Sequence, residues 1–595
     1  MSLWALLAAT ALAFVPVAAN SAGPAGIKFD GTLGSSAAAL AGPNYNITQS
    51  LGRLSGGNLF FSFQYFNVAT GETALFTTSS AGISNVISRV TGGYASTIDG
   101  TISLQAASGA PNFFLINPSG VTFTSNAVVD VPAAFYVSTA NYLKFPDGSF
   151  YVDPGKMSTL SSAAPEAFGF LGSTRAPVNV LGARLAGGSN GVGDFEITAG
   201  DVTIDGGGAQ AGIYESTGAI EVTAVGNTAA AVPLSGPFSA TDGTVTIRNG
   251  GLLWSEGVGA TPGAGVSVSA GSLLIDGEGL PNITGVVAGD FGAPGPVNIV
   301  IGNDAQIVNG GLIFSSNSFA GAAARISLSA GTLTIDGANG AGTTGIESDA
   351  LGNGSGADVQ VSVKGQATIT SDGGIFTTAA GQGNAGDIMV SSGAFTIEAT
   401  NPTLNTGIES YTVGAGNAGS ITVSSDSLTM SAPPVATGLS STILTIAYAG
   451  SSGSAGDVAL DVSGNVTMTG GAGIVSIAEA SGNAGQVGVQ ALGTVSMSGG
   501  TQIYSESNSG SGNGGNVLLT ASTLNIYGQA GSGTTGISTT TQTAGTGGSI
   551  SVRVGSLSID GAGSNLGFTG IESISDGSGG GGAVQVDVGA QATIS

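Results

Sequence analysis

Carboxylates are the main chemical resource of this chain, and they recur in a pattern. Acidic residues number 36 against 11 basic ones, with no histidine and no cysteine. Every His- or Cys-dependent mechanism is thereby excluded, as are the commonest zinc sites. The triplet Ile-Asp-Gly places carboxylates at Asp205, Asp276, Asp336 and Asp560, and "TGIES" or its equivalent places others at Glu347, Glu409 and Glu572. Two chemistries fit such ladders: a cation-binding or acidic catalytic face, and plain turn formation. In the second, Asp accepts local backbone hydrogen bonds and Gly supplies the positive φ. The calcium-binding nonapeptide pattern is absent. Paired carboxylates could also serve hydrolysis of the inverting type. Against this, Arg248, Arg325, Lys364 and Arg553 are isolated from one another, and large rings are scarce in the same region. The expectation is therefore turns at the Asp positions, outward strand positions at the Glu positions, and neither catalysis nor a cofactor.

The elements that carry these residues are short strands in a repeat. Related segments are "DFEITAGDVTIDG" from Asp194, "GVSVSAGSLLIDG" from Gly265, "RISLSAGTLTIDG" from Arg325, "DIMVSSGAFTIEA" from Asp387, "SITVSSDSLTMS" from Ser420 and "SISVRVGSLSIDG" from Ser549. The later copies recur about every 29 to 37 residues, a solenoid spacing. Within a copy Ile326, Leu328, Leu333 and Ile335 share one face, and Ser327, Ser329 and Thr334 share the other. That alternation is a half-buried strand. A third strand follows, such as "TGIESDA" from Thr344, and then a Gly/Asn/Ala-rich loop. Three short strands and their turns make one coil of a parallel β-helix, whose aliphatic face is covered only by stacking further coils. About thirteen rungs at ~4.8 Å give a rod on the order of 60 Å long. The fold class expected is all-β, a right-handed parallel β-helix. Helix has little support in a sequence with 105 glycines.

Composition divides the 595 residues near position 180: most large rings precede it, and Gly, Ser, Thr, Ala and Val follow. A distinct N-terminal domain over residues 24–175 and a repeat region over 190–595 are expected. The repeats stop within a unit at "GAQATIS", which reads as a truncated or partial shaft. The opening "MSLWALLAATALAFVPVAAN" has an apolar run from Leu3 to Val17 and a small-residue cleavage pattern. Residues 1–19 are accordingly expected to be a signal peptide. Export usually permits disulfides, so the absence of cysteine suits a chain threaded unfolded through a second membrane. A net charge of −25 with scattered basic residues argues against nucleic acid as a partner.

One further stretch stands apart. In "FFLINPSGVTF" an apolar segment breaks once, and Asn117, Pro118, Ser119 and Gly120 fit the four positions of a type I β-turn at an exposed corner. With "GGNLFFSFQYFNVATGETALF" (56–76), "ISNVISRVTGGYASTIDGTI" (83–102) and "NFFLINPSGVTFTSNAVVDVPAAFYVSTANYLKF" (112–145), this region resembles the N-terminal secretion domain of filamentous haemagglutinin-type exoproteins of two-partner secretion. The family's Asn-Pro-Asn-Gly-Ile motif corresponds to Asn117, Pro118, Ser119, Gly120 and Val121. Its Asn-Pro-Asn-Leu motif would fall at Ser79, Ser80, Ala81 and Gly82 and is absent. The resemblance implies a β-helix recognised by the periplasmic domains of an outer-membrane transporter. It also implies export to the surface or surroundings of a Gram-negative cell, and adhesion by the shaft to a host or neighbouring-cell surface or carbohydrate. The alternatives are a stalk delivering a C-terminal effector and a carbohydrate-active β-helix enzyme.

Overall fold

A computed structural model describes residues 23–595 except 173–174, 189–192, 237, 241, 260, 290–292, 404, 434–437, 480, 509–510, 543, 562 and 565. The expected signal peptide lies outside the described residues. Strands account for nearly all regular structure, and the described residues include one short 3-10 helix, Gln49–Leu51. None of their helices is long and apolar enough to cross a membrane.

The chain winds into a parallel β-solenoid. Two walls form one 30-stranded sheet; the third is a four-stranded parallel sheet at the N-terminal end and then a 13-stranded sheet from Arg184–Leu185 to Thr569–Ser575. A typical coil has the three short strands expected, Ile326–Ala330, Thr332–Asp336 and Thr344–Ala350. In several later coils the first two fuse. Ile388–Glu398 pairs along its first half with Val359–Val363 and along its second with Ala367–Thr370. The side chains alternate in and out across the bend, so one strand serves two walls.

Like residues stack on like residues inside. Ile299, Leu328 and Val361 occupy successive rungs of one column, each about 1% exposed. Burial of each such side chain contributes about 1.5–3 kcal/mol. The first coils are filled by rings instead. Phe76, Phe113, Phe135 and Phe195 follow one another with centroids 4.8, 5.8 and 5.2 Å apart. The compositional change near residue 180 is thus a change of core filling. A single apolar core runs from Ile27 to Ile559.

The apolar excess of "FFLI" has a second cause. Phe113 and Leu115 point into the solenoid, whereas Phe114 and Ile116 point out with Phe60 and Ile87. An antiparallel flap covers them: Tyr142–Phe145, Gly148–Tyr151, Ala167–Leu171 and Ala229–Pro233. Its Phe145 and Phe150 lie 6.0 and 4.9 Å from Phe60. Arg89, only 3% exposed, fastens the flap by donating to the Tyr151 carbonyl, to Ser62 Oγ at 2.8 Å and to Thr32 Oγ1 at 2.9 Å.

Glycine is demanded by the turns between the third wall and the first. Gly386, Gly419, Gly456 and Gly485 stack rung on rung, and a Cβ on any of the last three would sit 2.0–2.1 Å from the carbonyl oxygen of the glycine below. Beside them Asn417 N donates to Asn384 Oδ1, Ser454 N to Asn417 Oδ1 and Asn513 N to Asn483 Oδ1, at 2.8–2.9 Å. The "loop" of the sequence is an ordered ladder.

Candidate functional site

The turn from Asn117 to Gly120 joins Asn112–Ile116 to Val121–Phe123. It closes as expected: Gly120 N donates to the Asn117 carbonyl at 3.0 Å, and Ser119 N donates to Asn117 Oδ1 at 3.0 Å. The expected exposure is corrected. Asn117 is 0% exposed, because its amide donates to the Tyr94 carbonyl at 2.9 Å and Ser96 Oγ at 3.0 Å on the preceding coil. Val121 is 1% exposed, in register with Ser96 and Val178. Gly120 has φ 108°, and a Cβ there would approach the Pro177 carbonyl to 3.2 Å. Asn117, Gly120 and Val121 therefore shape the corner, and Pro118 and Ser119 present it.

Those two residues form one wall of a groove of about 400 Å³. The opposite wall is the flap, with Tyr151, Asp153 and Lys156, and Leu171, 45% exposed, at the side. Lys156 Nζ stands 5.3 Å from the centroid of the Tyr151 ring. Sequence reasoning missed this wall, because nothing local to residues 151–156 signals proximity to residue 118. The segment Ser79–Gly82, where the second family motif would fall, is held by Gln49. Its Oε1 accepts from Ser79 N at 2.7 Å and Ser80 N at 2.9 Å, and its Nε2 donates to Ser80 Oγ at 2.7 Å.

Below the groove lies a polar cluster. Asp30 accepts from Ser62 Oγ at 2.5 Å, from Thr32 N at 2.9 Å and from Thr91 Oγ1 at 2.9 Å. Burial works to raise the Asp30 carboxyl, but these donors hold it below the usual carboxylate range. Burial lowers the Arg89 guanidinium, and the charges of Asp30 and Asp153 oppose that shift.

Three of the Ile-Asp-Gly positions form turns. Asp205 Oδ1 accepts from Gly207 N at 2.9 Å, Asp276 Oδ1 from Glu278 N at 2.8 Å and Asp336 Oδ1 from Ala338 N at 3.1 Å. Among the described residues no group of three or more carboxylates is placed to hold a metal ion. The Glu positions face outward on the third wall, yet Glu409 is only 6% exposed. Tyr448 Oη covers it, donating to its Oε1 at 3.2 Å. Its carboxyl is raised by burial, against the hydrogen bonds from Tyr448 and Asn405.

The first coils of the parallel solenoid thus carry an antiparallel flap and a buried Asn-Pro-x-Gly corner. Residues 25–249 match the family described as "TPS secretion domain". The N-terminal part of the chain is thus the secretion domain of a two-partner secretion exoprotein. Among solved structures the HMW1 secretion domain from Haemophilus influenzae is similar at 12% identity with a TM-score of 0.23, over 80% of this chain and 93% of that chain. None of the curated proteins matches.

Proposed function

We propose that the groove between the Asn117–Val121 corner and the flap is the surface that an outer-membrane transporter recognises through its periplasmic domains, and that the shaft beyond makes adhesive contacts outside the cell. The observation that carries this reading is the convergence of Pro118 and Ser119 with Tyr151, Asp153 and Lys156 on one concave surface within the matched domain. The groove combines an apolar floor with one charge of each sign, the composition of a specific docking site for an extended segment. On this reading the signal peptide of residues 1–19 takes the chain to the periplasm, and residues 24–175 then engage the transporter. The shaft, 190–595, follows through the barrel unfolded and winds up outside, coil on coil. Its ligand class is a cell surface or carbohydrate.

The test is export by the cognate transporter in a Gram-negative host. Ser119→Arg and Lys156→Glu alter the groove without touching the core. Each is expected to lower the exported amount about tenfold, with the purified variants keeping their β signature and melting temperature. Unchanged export by both variants overturns the assignment of the groove.

A further inference from the structure

The outward columns of the 13-stranded wall are not uniform. Register places Trp254, Val287, Phe314, Glu347, Phe376, Glu409 and Leu444 in one column on successive rungs. From Trp254 onward large apolar side chains fall on every second rung, at Trp254, Phe314, Phe376 and Leu444; on the rung before, Tyr214 stacks on Trp254 with ring centroids 6.0 Å apart. Two rungs span about 9.6 Å, close to the length of one disaccharide in an extended β-linked polysaccharide. Beyond Phe376 the column is covered, for Leu444 is 7% exposed and packs with Tyr411, Leu439 and Tyr448. From Trp254 to Phe376 the three rings remain partly exposed. Rings that looked scattered in the sequence, 60 residues or so apart, are aligned by the winding.

The ring at Phe376 lies flat. A Cβ on Gly374 would be 2.1 Å from Phe376 Cζ and 2.6 Å from Cε2. Phe376 thus rests across the glycine and turns a ring face outward, the presentation that stacking on an apolar sugar face requires. Between the two phenylalanines stands Glu347, with Asp349 two residues along the same strand. Polar atoms beside this column are left over. Ser316, 1% exposed, and Asp349 are in register, and Ser316 Oγ and Asp349 Oδ1 take no hydrogen bond within the structure. Positive charge is missing as well. Arg325 and Lys364 are the sole basic residues between Trp254 and Tyr504, and both adjoin strands of the other sheet. Burial and the neighbouring Asp349 push the Glu347 carboxyl up to about 7, against a hydrogen bond from Thr343, as expected of carboxylates lacking a cation.

We infer that Trp254, Phe314 and Phe376, with Glu347 and Asp349 between the last two, form a binding stripe for an extended amino-sugar polysaccharide. Sugar faces stack on the rings at two-rung intervals, and the ammonium group of the intervening residue pairs with Glu347 and Asp349. This deepens the reading of the shaft as a contact surface and is independent of the transporter groove.

The experiment uses the purified full chain and three hexasaccharide probes: β-1,4-linked glucosamine, its N-acetylated form, and the plain glucan. The chain has two tryptophans, and only Trp254 lies in the shaft, so its fluorescence reports on the stripe alongside calorimetry. The glucosamine hexamer is expected to bind and to bind tightest. Phe376→Ala is expected to weaken it about tenfold. Gly374→Ala, which keeps the ring but lifts it from the wall, is expected to weaken it comparably with the fold retained. Glu347→Gln is expected to erase the preference for amine over N-acetyl while leaving residual stacking. Binding to none of the three probes, equal binding of glucosamine and plain glucan, or full affinity in both Gly374→Ala and Phe376→Ala overturns the proposal. Export of the same variants, measured separately, stays normal whichever way binding turns out, so failure of the stripe and failure of the groove are told apart.

Discussion

Single residues in this fold are judged by which side of the wall they face, and Glu215 shows the consequence. It ends the strand Ala211–Glu215 with its side chain directed inward, 2% exposed. One oxygen accepts from Gly187 N, and Oε2 has no partner within the structure. Burial raises its carboxyl to about 9 from an ordinary 4.5; the Gly187 N–H opposes this and Asp194 reinforces it. The folded state therefore holds a proton that the unfolded chain gives up. Its stabilising contribution is fully present below about pH 4.5 and is lost as pH rises toward 9. Glu215→Gln is expected to flatten stability over that window and to raise it at pH 8 by about 1–3 kcal/mol. Chemical denaturation at pH 5 and pH 8 measures both. On later rungs the same column holds Ser255, Ala288, Ser315, Ser348, Thr377 and Ser410. Neutral side chains there carry no such penalty.

At the scale of the element, the turn ladder decides which substitutions a coil tolerates. Gly419→Ala places a methyl 2.1 Å from the Gly386 carbonyl oxygen, against backbone that cannot swing aside as a side chain can. A loss of about 1–3 kcal/mol is expected. Gly374→Ala, which meets only the far end of a phenylalanine, is expected to cost less; melting temperatures of the two variants make the comparison. The strands were readable in the sequence because period-two alternation needs no knowledge of neighbours. Ile326, Leu328, Leu333 and Ile335 are all within 2% of full burial, as that alternation implies. What stacks on what depends on the length of each intervening turn, a property of the coil. Hence the row of Trp254, Phe314 and Phe376 was illegible, and so was the pairing of Pro118 with the flap. The corner itself was legible in its conformation and wrong in its exposure. Burial of Asn117 is caused by Tyr94 and Ser96, which only the winding brings near.

Inside the solenoid one apolar core runs through the described residues from Ile27 to Ile559. The coils at residues 177–181 pair with those on both sides, and the match to the secretion domain runs to residue 249. The expected boundary between 175 and 190 thus falls inside continuous packing. Folding before export would present a rod bonded rung to rung, whereas an unfolded chain passes as a single strand. Thr396→Cys combined with Thr429→Cys tests this. The two positions are register partners on the outer surface, at a separation of about 4.8 Å that suits a disulfide. The oxidised chain is expected to stall in export and the reduced chain to pass, with external yield as the readout.

The glycine and asparagine ladders carry one more implication, for how such a gene changes. The hydrogen bonds that join one asparagine or serine of the ladder to the next run between adjacent turns of the winding. A duplication or deletion spanning one full turn of the winding re-forms the same bonds at the new junction. Length can therefore drift by whole units across generations at little thermodynamic cost, whereas an insertion of a few residues within a unit throws every later side chain out of its column.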